Sequence, residues 1–105
     1  MKAWQKKEKR DAEAFDGVRT KSSGNLWYSP GDFKSDLFLG DSKDTSKKSY
    51  SISLETWDKL FEEALFSFRI PLLSLKIRQT ELVVLSRTDF LKILEHTDLK
   101  KIVVT

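Results

Sequence analysis

The chain has 105 residues, enough for one domain with a modest core, so an active form is expected to need a partner subunit. It has no cysteine, which excludes disulfides, thiolate metal ligands and a cysteine nucleophile, and its single histidine, His96, cannot build a histidine-rich zinc site. The net charge of +3 points only weakly to a polyanionic partner, no apolar run is long enough to span a membrane, and "MKAWQKKEKR" lacks the apolar stretch of a signal peptide.

No internal repeat or long linker divides the sequence, so residues 1–105 are read as one domain. Residues 2–18 read as a helix whose face carries Trp4, Glu8, Ala12 and Phe15, with Asp16-Gly17 as a stop signal. "RTKSSGN", Arg19 to Asn25, is a loop of cations, hydroxyls and glycine. "LWYS", "DFK", "DLFLGDSK" and "KSYSIS" are strand candidates, the first two broken by Pro30-Gly31. Ser53 is a good N-cap for the strongest helix, in which Leu54, Trp57, Leu60, Phe61, Ala64, Leu65 and Phe68 keep a helical period. "IPLLSLKI" reads as a strand buried on both faces, "ELVVLSR" as its neighbour, and Thr88 or Asp89 as the cap of a short last helix, with "KIVVT" a further strand or a loosely packed tail. Helix, three strands, helix, two strands, helix: the order predicts an α/β fold with a mixed sheet flanked by helices.

In "DLFLGDSK", strand alternation puts Asp41 and Lys43 on one face, with roughly 6 to 7 Å between their Cα atoms. A reversal near residues 35–37 would place Asp32 across from Asp41, and Gly31 before it would permit a close approach. Carboxylates with no other ligand type favour a hard ion such as Mg²⁺ or Mn²⁺. A water held there would be aimed at a phosphorus, while the lysine neutralises charge on the phosphate. The same residues also suit a plain solvated hairpin. Glu8, one turn from both Trp4 and Ala12, puts a carboxylate on an apolar helix face and calls for compensation by a cation, a metal or hydrogen bonds, unless it is a surface glutamate paired with a nearby lysine. Glu13, roughly 140° around the wheel, is the alternative. The Arg19–Asn25 loop suits a plain connection as well as phosphate binding; in the second case the expected nucleic-acid contacts are Arg19, Lys21, Ser22 and Ser23, with Lys34, Lys47 and Lys48, by cation or hydroxyl to phosphate. Trp57 reads as core, Trp27 and Tyr28 as strand packing, and His96 as a structural residue at a helix end.

The pieces taken together resemble the PD-(D/E)XK nuclease superfamily, in particular the small archaeal-type Holliday-junction resolvases of phages and prophages. They are Glu8 with Ala12, "GVRTKSSGN", Gly31-Asp32, "DLFLGDSKDT", "KSYSISLETWDKLFEEA", "RIPLLSLKI" and "ELVVLSRTDFL", in family order over nearly the whole chain. The resemblance implies a restriction-endonuclease-like central mixed sheet flanked by helices. It also implies a homodimer acting on branched DNA and Mg²⁺-dependent phosphodiester hydrolysis, with Mn²⁺ as a substitute, in the cytoplasm of a bacterial host. Carried over by position, Asp32, Asp41 and Glu8 are metal ligands, Lys43 is the catalytic lysine, Ser23 assists at the DNA backbone, and Arg19 and Lys21 contact phosphates. A nicking or restriction-like enzyme of this superfamily, or a non-catalytic DNA-binding protein of the same fold, are the alternatives. The chain departs from the family pattern at Asp41, where glutamate is commoner, at Asp16, where glycine is usual, and at Asp11, where an apolar residue is usual.

Overall fold

A computed structural model describes residues 2–20 and 31–98. Along them run α1 (Ala3–Ala14), β1 (Val18–Arg19), β2 (Phe33–Lys34), β3 (Phe38–Thr45), α2 (Leu54–Phe66), β4 (Ile70–Ile77), β5 (Thr80–Val84) and α3 (Arg87–Glu95). The five strands form one sheet in chain order; β3 and β4 are parallel and every other pair is antiparallel. A parallel pair needs a crossover, and α2 supplies it. The expected α/β class with a mixed sheet and flanking helices is what the chain forms.

β3 separates two small cores. On one face Phe33, fully buried, lies with Ala12 of α1 and Leu72 of β4, and its ring stacks on Phe15 at 5.7 Å. Gly40 is required under that ring, because a Cβ there would fall 2.1 Å from Phe33 Cζ. On the other face Leu39 packs against Leu60 and Ala64 of α2, with Trp57 at the edge, as core. Burying a leucine such as Leu39 or Leu72 contributes about 1.5–3 kcal/mol. Ser53 caps α2, its side chain accepting from the Thr56 N–H at 3.1 Å, with Glu55 in the first turn.

Several expectations are corrected. α1 stops at Ala14, and Asp16 takes a left-handed φ of 56°, the position where a helix end favours glycine. Val18 and Arg19, read as helix end and loop, form β1 against Lys34 and Phe33. Residues 49–53, read as a strand, have no regular structure, and the strand that runs parallel to β3 along its length is β4. The buried face of α1 is Lys7, Glu8, Asp11 and Ala12, while Trp4 is exposed. α2 stops at Phe66, short of Phe68; of its apolar positions only Leu60 and Ala64 are buried, whereas Phe61 and Leu65 are exposed, as is Phe68 beyond the helix end. The cap of α3 is Ser86, which accepts from the Asp89 N–H at 3.1 Å. "LWYS" and "KIVVT" lie outside the described residues.

Candidate carboxylate and lysine site

The corner is built by the reversal between β2 and β3. The Ser35 N–H donates to Phe38 O at 2.9 Å, and the Ser35 hydroxyl accepts from the Phe38 N–H at 3.0 Å. That turn sets the register Phe33 to Gly40, which brings Asp32 beside Asp41 as the alternation argument required. Gly31 precedes Asp32 at a φ of 66°, and its N–H donates to Glu63 Oε2 of α2 at 3.2 Å. Asp32 Oδ2 accepts from the Ser42 N–H at 2.8 Å.

Asp41 therefore sits in a crowded, half-buried position. Burial lifts its carboxyl from 3.8 to about 6, and the neighbouring Asp32 carboxylate pushes in the same direction. Lys43 opposes that rise, Glu63 adds to it and Lys59 opposes it again. Lys59 and Glu63 are an i, i+4 pair at 4.0 Å on α2. Ser42 reaches α1 while Leu39 packs on α2, so alternation turns Asp41 and Lys43 toward α2. Asp32 and Lys43 thus both lie within electrostatic range of Asp41.

Glu8 does not join them. It lies on α1, against the opposite face of β3, where its buried Oε1 accepts from Arg19 at 3.1 and 3.3 Å. The compensating cation that its position demanded is this guanidinium. Glu13 is exposed. Among the described residues no three Asp, Glu or His side chains stand as a ready-made metal cage. Two carboxylates with water suffice for Mg²⁺, which keeps much of its hydration and is often bound through one or two carboxylates. The donor set of Asp32 and Asp41, with Glu63 behind Gly31, fits such an ion chemically.

Of the expected nucleic-acid contacts, Arg19 is half-buried on Glu8, while Lys34, Lys47 and Lys48 are exposed, the last two in the bend after β3. Lys21, Ser22 and Ser23 lie outside the described residues. Sequence reasoning missed Glu63 and Lys59, whose signal was their i, i+4 spacing beside the buried Leu60 and Ala64. No helix among the described residues is long and apolar enough to cross a membrane. No family model matches the chain, and no curated protein or solved structure matches it.

Proposed function

We propose that the chain is a metal-dependent DNA endonuclease of restriction-endonuclease-like fold, acting as a homodimer on branched DNA of the four-way-junction type. One observation carries the reading: the register of Phe33 with Gly40 sets Asp32 beside Asp41, whose carboxyl is pushed up to about 6, with Lys43 two residues along the same strand face. Two acids pressed together in a half-buried corner are an unfavourable arrangement that a divalent cation relieves. Asp32 and Asp41 would hold the ion; Asp32 is oriented by the Ser42 N–H and Gly31 is tied to Glu63. A bound Mg²⁺, or Mn²⁺ in its place, supplies positive charge at phosphate oxygens and acidifies a water. Lys43 places its ammonium where a phosphate entering the corner gains negative charge. The exposed Lys34, Lys47 and Lys48 offer sequence-independent contacts to the flanking backbone.

A second reading is a DNA-binding protein without cleavage, for which the exposed Lys34, Lys47 and Lys48 would suffice as backbone contacts. A gel assay with labelled four-way junction and linear duplex, each with Mg²⁺ and with chelator, separates the readings. The nuclease reading expects Mg²⁺-dependent cuts concentrated on the junction. Equal cutting of plain duplex favours a nicking or restriction-like enzyme, and binding without cuts favours the second reading.

A further inference from the structure

Ser42 stands between Asp41 and Lys43 and faces away from both. Its main chain and its side chain hold opposite sides of the strand. The N–H donates to Asp32 Oδ2 at 2.8 Å, so the acid crowding Asp41 is fixed by the backbone of the next residue. The hydroxyl accepts from Lys7 Nζ at 3.0 Å and donates to Asp11 Oδ2. Asp11 Oδ2 also accepts from Lys7 at 2.6 Å, and Lys7 reaches Ser74 O and Oγ of β4 at 3.3 and 3.4 Å. Lys7 and Asp11 are only 5% and 7% exposed. The three ammonium donors and the serine proton all have partners, a complete network.

Stability does not account for this arrangement, because a buried ion pair is generally no better than apolar side chains of equal volume. Direction does. An apolar contact leaves a strand free to slide or rotate slightly, whereas a hydroxyl held by one donor and one acceptor fixes where residue 42 sits. We propose that the buried Lys7–Asp11 pair clamps Ser42, and through its N–H sets the Asp32 carboxylate beside Asp41. Lys7, Asp11 and Ser42 are then positioning residues, and this role rests on the nuclease reading of the corner.

The test compares the full-length parent with Ser42→Ala, Ser42→Thr and the double variant Lys7→Met/Asp11→Leu. Hydrogen exchange at the residue-42 amide is followed by NMR, with the Leu73 and Leu75 amides of β4 as the standard for global opening. Mn²⁺ affinity is measured on the same samples by calorimetry. The clamp predicts about tenfold faster exchange at residue 42 in Ser42→Ala and in the double variant, with β4 unchanged. Mn²⁺ binding weakens by about tenfold in the same two proteins, while Ser42→Thr, which keeps the hydroxyl, retains both properties within about twofold. Exchange at residue 42 within about twofold of the parent in Ser42→Ala and the double variant overturns the clamp. Should the double variant fail to fold, Asp11→Asn takes its place with the same criteria. A parent that binds no Mn²⁺ refutes the nuclease reading, and the exchange result still decides the clamp.

Discussion

The two faces of β3 handle buried charge in opposite ways. Toward α1, Lys7, Asp11, Ser42 and Ser74 satisfy one another, and Glu8 is matched by Arg19. Toward α2, Asp41 is pressed against Asp32 and within the field of Glu63, with Lys43 and Lys59 offsetting only part of the repulsion. Buried polar groups are costly unless paired, and on the second face, unlike the first, the pairing is incomplete. The unbalanced face is where a ligand can complete the pairing, which is why the functional reading rests there.

The largest effect is expected from unbalancing the α1 face. Asp11→Ala leaves a buried ammonium without its acid and should cost about 3–5 kcal/mol in urea unfolding. Lys7→Met/Asp11→Leu removes both charges and should be near neutral; equal losses in the two variants would show that packing, not charge, holds this face. Next in size, Lys43→Ala should lower junction cleavage by about 10²- to 10³-fold. Its junction affinity, measured by gel shift, should stay close to the parent's because binding spreads over many phosphates.

A third prediction concerns Asp41 itself. Its folded pKa is raised, so the neutral form is the favoured one in the fold. The associated stability is fully present below 3.8 and is lost as pH rises through about 6, a change of at most about 3 kcal/mol. Asp41→Asn should therefore unfold at higher urea than the parent above pH ~7 and show no advantage below pH ~4. Ion-dependent cleavage should run the other way, rising through pH ~6 as the carboxyl ionises. The smallest effect is expected at the exposed Arg10–Glu81 pair between α1 and β5, where Arg10→Ala should change stability by no more than about 1 kcal/mol.

The sequence made β4 legible because a run as apolar as "IPLLSLKI", interrupted only by Ser74 and Lys76, has few alternatives once both faces are buried. It made α2 legible through its cap and period, and the Asp32–Asp41 juxtaposition through a short reversal whose register follows from the alternation. What it hid depends on partners far along the chain. Val18–Arg19 is a strand because Phe33–Lys34 lies beside it, whereas among the described residues no strand pairs with residues 49–53. The inward turn of Lys7 and Asp11 contradicts the usual preference of charged residues for water and is legible only once Ser42 and Ser74 lie opposite. Glu63 joins the corner through the backbone of Gly31, a contact without a side-chain pattern on either residue.

Calorimetric titration with Mn²⁺ above pH ~7 tests most directly whether the unbalanced face holds a divalent cation. The parent should show a saturable site that both Asp32→Asn and Asp41→Asn abolish while circular dichroism stays unchanged. A parent with no saturable site, or one that both variants bind as tightly, would contradict the account.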